Sequence, residues 1–110
     1  MTISTVVYPV SDLVAAKAVF SVLAGQPIVD APYYVGFQMG EMHIGLAPRR
    51  DGNDGQTAYW EVEDIATSIT ELVAAGASIS RPASDVGGGL LVAVLIDADG
   101  NRIGLRQPTA

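Results

Sequence analysis

The sequence contains no cysteine and a single histidine. The first absence excludes a disulfide framework and any thiolate nucleophile. The second leaves one chain unable to supply the two imidazoles of a two-histidine, one-carboxylate metal triad. Basic residues are scarce, with 6 Lys plus Arg against 12 Asp plus Glu and a net charge of −6. Such a field repels a phosphate backbone and argues against a nucleic-acid partner. The same field favours a cationic small molecule. The strongest apolar run, Val86 to Ile96, is interrupted by Gly87, Gly88 and Gly89. It falls short of the roughly 20 residues that span a bilayer, so no membrane partner is expected. Met1-Thr2-Ile3-Ser4 lacks the basic and apolar regions of a secretory leader, and a cytoplasmic protein is expected. What is present is 49% apolar residues in 110, enough to build a core in a single domain.

Local signals divide the chain into alternating elements. Thr2 to Val10 is rich in β-branched residues and reads as a strand. Ser11 or Asp12 then caps a helix whose apolar face is Leu13, Ala16, Phe20 and Leu23. Gly25 and Pro27 stop it. Three strands follow, at Pro27 to Asp30, Tyr33 to Gln38 and Glu41 to Ala47, the last two joined through Met39-Gly40. Arg49 to Gln56 reads as a solvated loop. The plan then restarts with a strand from Gln56 to Val62 and a helix capped by Asp64 with Ile65, Ile69, Leu72 and Val73 on its apolar face. Gly76 ends the helix, and strands are expected at Ala77 to Ala83, Leu90 to Ile96 and Arg102 to Gln107. Gly87-Gly88-Gly89 precedes a strand and does not open a helix, so it reads as a strand-entry turn and not as a phosphate cradle.

The two halves match. Val10-Ser11-Asp12-Leu13 corresponds to Val62-Glu63-Asp64-Ile65, and Gly25 to Gly76. A unit of about 50 residues is too small to bury a good core alone, so two are expected to pair. The repeat, together with Ile96-Asp97-Ala98-Asp99-Gly100-Asn101-Arg102-Ile103-Gly104-Leu105, resembles the vicinal oxygen chelate superfamily of glyoxalases, extradiol dioxygenases and bleomycin-resistance proteins. Ala98 stands where that family's closing turn usually has proline. The resemblance implies an α+β fold: two tandem βαβββ modules, residues 1–48 and 56–110 joined by a linker at 49–55, forming a curved mixed sheet. It further implies a concave cavity, helices on the convex face, and a homodimer.

Alternation along each strand separates two faces. Tyr34, Gly36, Gln38, Glu41, His43 and Gly45 are assigned to the cavity, and Tyr33, Val35, Phe37, Met42, Ile44 and Leu46 to the core. That register places Gln38 opposite Glu41 and Gly36 opposite His43. In the first strand Thr5, Val7 and Pro9 face in, while Val6, Tyr8 and Val10 lie under the helices. In the second half Thr57, Tyr59, Glu61, Arg102, Gly104 and Arg106 face the cavity, with Trp60 in the core.

By the resemblance, metal ligands would stand at Thr5, Gly45, Thr57 and Gly104, none of which carries an imidazole or carboxylate. No metal and no other cofactor is therefore expected. His43, Glu41 and Glu61 are the candidates for acid–base chemistry. Tyr34 and Tyr59 are candidates to stack on a planar ligand. Gln38, Glu41, His43 and Glu61 would orient it, and Arg102 and Arg106 would either bind an anionic group or pair with the glutamates. The reading favoured by this set is metal-independent sequestration of a small hydrophobic or cationic molecule, as in antibiotic-resistance members of the superfamily. The alternatives are a lyase or isomerase using His43 with Glu41 or Glu61, and a dimeric structural or regulatory module with a vestigial cavity.

Overall fold

The computed structural model describes residues 2–49 and 55–109. The elements are β1 (Thr2–Val10), α1 (Leu13–Ala24), β2 (Val29–Ala31), β3 (Tyr34–Met39), β4 (Met42–Pro48), β5 (Thr57–Glu61), α2 (Ile65–Ala74), β6 (Ser78–Asp85), β7 (Leu91–Ile96) and β8 (Arg102–Gln107). The chain is α+β and repeats βαβββ twice. It forms two compact units, one from Ser4 to Thr57 and one from Ala58 onward together with Thr2 and Ile3. Five residues of the expected linker, 50–54, lie outside the described residues. No helix among the described residues is long and apolar enough to cross a membrane.

In the first unit the strand order is β2-β3-β4-β1, with β1 parallel to β4 and the other pairs antiparallel. Asp12 caps α1 by accepting the Ala15 N–H at 3.0 Å, which satisfies one of the unpaired donors of the first turn. Leu13, Ala16, Phe20 and Ala24 of α1 pack on Val35, Phe37 and Leu46 of the sheet, with Tyr8, Val10 and Ile44 around them. The Tyr8 and Phe20 rings meet at 5.0 Å, tilted by 50°. Leu23, expected on this face, is 76% exposed. Ala24, one turn beyond Phe20, takes the inward place, and Leu23 is carried to the flank by the 3.6-residue period.

The β3–β4 hairpin also departs from expectation. Its turn residues are Gly40 and Glu41, so Gln38 pairs with His43 and Gly36 with Gly45. Gly40 has φ of 62°, which suits the first central position of a type II′ turn. The register differs from the expected one by two residues, and an even shift leaves every side chain on its assigned face. Tyr33 does not join the core: it falls in the turn before β3 and is 74% exposed. β2 is shorter than expected, beginning at Val29, because Pro27 offers no N–H to the ladder.

In the second unit the order is β5-β8-β7-β6, with β5 parallel to β8. Asp64 caps α2 through the Thr67 N–H and hydroxyl, and the Ile65 N–H donates to Gln107 Oε1 at 2.8 Å. Val62, Ile65, Ala93, Leu95 and Leu105 form the core, flanked by Ile69, Leu72 and Ile103. Val73 is exposed. Trp60, expected inside, is 38% exposed. The reason is coverage: α2 packs on β6, β7 and β8, and leaves the Trp60 side of β5 outside the core cluster. β6 runs to Asp85, is exposed throughout, and has two register irregularities against β7. Gly87, Gly88 and Gly89 all have positive φ in the β6–β7 connection, the strand-entry turn the sequence suggested. Asp97 organises the last turn, accepting the N–H groups of Asp99 and Asn101 and the Asn101 side chain.

Candidate functional site

In the first unit, β3 and β4 present Tyr34, Gly36, Gln38, His43 and Gly45 on the side away from α1, because their neighbours Val35, Phe37 and Leu46 fill the helix-facing core. The Tyr34 ring lies across Gly45. A Cβ at Gly45 would run into the Tyr34 hydroxyl and stand 2.7 Å from its Cζ. A Cβ at Gly36 would stand 2.8 Å from His43 Nε2 and 3.1 Å from Tyr34 Cε2. The two glycines therefore make a floor on which both rings lie. The rings are parallel within 6°, with centroids 6.2 Å apart, and His43 Nε2 and the Tyr34 hydroxyl share a hydrogen bond of 3.1 Å. Tautomer decides which group donates. Gln38 turns away to donate to the Gly40 carbonyl at 2.7 Å, and Glu41 stands exposed in the turn.

The second unit repeats the arrangement from a different strand. Tyr59 of β5 pairs with Gly104 of β8, and its ring leans over that glycine. A Cβ at Gly104 would stand 2.6 Å from Tyr59 Cδ1, 2.8 Å from Cγ, and 2.9 Å from the Ala58 carbonyl oxygen. Burial pushes the Tyr59 phenol above its usual 10.0, against the opposing pull of Arg102 and Arg81. It is therefore a neutral hydrogen-bond donor and acceptor at physiological pH. Glu61 and Arg106 are partners in the same β5–β8 ladder, and Arg106 Nη1 donates to Glu61 Oε1 at 2.6 Å.

The fold family implies a divalent metal, and the donors present do not fit one. The implied positions are Thr5, Gly45, Thr57 and Gly104. Two are glycines whose open space is taken by a tyrosine ring, and two offer a hydroxyl, a poor ligand beside imidazole or carboxylate. Among the described residues no three of His, Asp or Glu gather in a way that could hold a metal ion.

Each unit thus brings some of the expected site residues together. Tyr34 meets His43 and Glu61 meets Arg106, while Arg102 acts on Tyr59 through its charge. Gln38 is engaged with the Gly40 carbonyl, and Glu41 belongs to the turn. An open cleft of about 520 Å³ is lined by Thr2, Glu61, Val62, Glu63, Gln107, Pro108 and Thr109. Of the expected ligand residues only Glu61 reaches it, and it has no aromatic wall. Arg81 was not singled out by the sequence, because strict alternation along β6 fails at the irregularities on either side of it.

No family model matches the sequence, and no curated protein matches it. Solved structures do. An NAD-dependent benzaldehyde dehydrogenase from Legionella pneumophila superposes with a TM-score of 0.76 at 18% identity, over 96% of this chain and 98% of that one. A methylmalonyl-CoA epimerase from Mycobacterium tuberculosis gives 0.75 at 17%, over 98% and 88%. A glyoxalase/bleomycin resistance protein/dioxygenase superfamily member from Vibrio splendidus 12B01 gives 0.72 at 15%, over 97% and 100%. At these identities the likeness is one of fold, and the chain has the vicinal oxygen chelate fold.

Proposed function

We propose that the protein binds and sequesters a small molecule without a metal, in the manner of an antibiotic-resistance member of this fold. The observation that carries the reading is the tyrosine ring lying on each glycine where a metal ligand is implied. An aromatic ring on a glycine floor, with a few polar groups beside it, is a surface suited to hold a planar apolar body. His43 and the Tyr34 hydroxyl supply the directional contacts in the first unit. A lyase or isomerase reading gains nothing from the geometry: Glu61 is held by Arg106 and Glu41 stands in an exposed turn.

A thermal-shift screen of aromatic compounds, run with and without a strong chelator, tests the proposal. Ligands of the native state raise the melting temperature by mass action. Equal shifts with and without chelator, reduced in Tyr34→Ala and Tyr59→Ala, support the reading. Stoichiometric divalent metal in the purified protein, with binding lost on chelation, refutes it.

We also propose that the protein is a homodimer that uses the outer side of α1. That side carries Val14, Val19, Val22 and Leu23, all strongly exposed, with Ala15 and Ala18 between them. The patch is uncharged, so a second copy placed on it about a twofold axis meets no like charge despite the net −6.

A further inference from the structure

The chain has 6 Lys plus Arg, and three of them, Arg81, Arg102 and Arg106, belong to the sheet of the second unit. Register shows why these three arginines, one on β6 and two on β8, share one face of the sheet. Tyr59 pairs with Gly104, Gly104 with Val94, and Val94 with Arg81. Paired residues point to the same side of a sheet, so these four form a single row across four strands. Arg102 and Arg106 lie two residues either side of Gly104 and share its face. The row spans about 14 Å between its end strands, and Gly104, having no side chain, lets Tyr59 lean inward over it.

The charges on this face are not equivalent. Arg106 is neutralised by Glu61. Arg81 is exposed and has no carboxylate partner among the described residues. Arg81 and Arg102 both act on the Tyr59 phenol. Beside them the same face offers the half-buried Val92 and Ile96, on either side of the buried Val94. An arginine pair next to a neutral phenol and an aliphatic surface is suited to a planar anion on an apolar body, since guanidinium forks match a carboxylate in two parallel hydrogen bonds. The molecule's net charge opposes a dianion more than a monoanion. A carboxylate is therefore favoured over a phosphate.

We infer that the second unit binds the carboxylate of an aromatic or aliphatic acid between Arg81 and Arg102, with Tyr59 donating to it and Val92 and Ile96 beside the apolar body. The inference rests on the small-molecule-binding reading above, and it reverses the sign of charge that the acidic composition favours for a ligand.

The test compares three probes of one shape, 2-naphthoate, 2-naphthamide and 2-naphthylmethylammonium, by fluorescence titration in dilute buffer. The expected order is acid tightest, by about tenfold over the amide. Arg81→Gln and Arg102→Gln should each remove most of that advantage. Both variants are checked by melting temperature, and Arg81→Lys should retain part of the advantage as a point charge. Equal binding of acid and amide overturns the carboxylate site while leaving small-molecule binding intact. Binding of none of the three removes both. Displacement of naphthoate by inorganic phosphate at lower concentration than by acetate assigns the site to phosphate and overturns the carboxylate assignment.

Discussion

Replacing Gly104 by alanine isolates the contact on which the site is built. Alanine in a strand ordinarily gains about 0.4–1 kcal/mol over glycine by restricting the unfolded chain. Here the added methyl would stand 2.6 Å from Tyr59 Cδ1 and 2.9 Å from the Ala58 carbonyl oxygen. The ring can tilt, but the carbonyl belongs to the β5 backbone and cannot move without disturbing its ladder with β8. Overpacking of this kind costs about 1–3 kcal/mol. The net expectation is a loss of about 1–2 kcal/mol, or a fall in melting temperature of about 4–12 °C for a domain of this size. Urea and thermal unfolding measure it. Combining the change with Tyr59→Ala should recover only part of the loss, because the backbone contact remains. Gly45→Ala is the control: all three of its closest contacts are atoms of the Tyr34 side chain, so its expected cost is smaller and its signature is loss of the Tyr34–His43 hydrogen bond. A Gly104→Ala protein as stable as the parent, with naphthoate affinity unchanged, would refute the account of a ring seated on that glycine.

Other outcomes follow from the same contacts. Burial holds the Tyr59 phenol above 10.0, so the native state keeps a proton that the unfolded chain releases. Stability should therefore decline as pH rises through about 10, and Tyr59→Phe should lessen that decline in alkaline melts. Hydrogen bonds from Asn101 and Asp99 hold the Asp97 carboxyl below its usual 3.8. That contribution is present above the unfolded value and is lost as pH falls through the native one, so Asp97→Asn should flatten the acid limb of the stability curve. The Glu61–Arg106 pair is partly exposed, and a double-mutant cycle should give a coupling of only about 0.2–1 kcal/mol. Val22→Lys, on the outward side of α1, should shift the protein to a monomer in sedimentation without lowering its melting temperature in dilute solution. An unchanged sedimentation coefficient would refute the interface.

The elements legible in the sequence were those written in local chemistry. Asp12 and Asp64 before apolar stretches marked both helices, and the alternation in Val35, Phe37, Ile44 and Leu46 set the faces of β3 and β4 even though the hairpin register was misjudged. An even slip preserves the face, which is why Tyr34, His43 and Gly45 were still grouped correctly. What was not legible depended on coverage. Leu23 is carried to the flank by the helical period, Tyr33 falls in the turn before β3, and Trp60 lies on the side of β5 that α2 does not reach. No one-dimensional pattern records that. Arg81 was missed because the irregularities of β6 break the alternation from which a face is read. The seating of Tyr34 and Tyr59 on glycines was invisible for a further reason: it joins residues on different strands, and the sequence shows a glycine only as an absence.

The same seating constrains what the chain can become. A glutamate introduced at Gly104 or Gly45 would meet an aromatic ring and not open space. Introducing a coordinating side chain there would need a second substitution on another strand at the same time. In the second unit even that pair would leave the Ala58 carbonyl in the way. A single substitution at either glycine therefore delivers its side chain into a tyrosine ring and not into a position from which it could coordinate an ion.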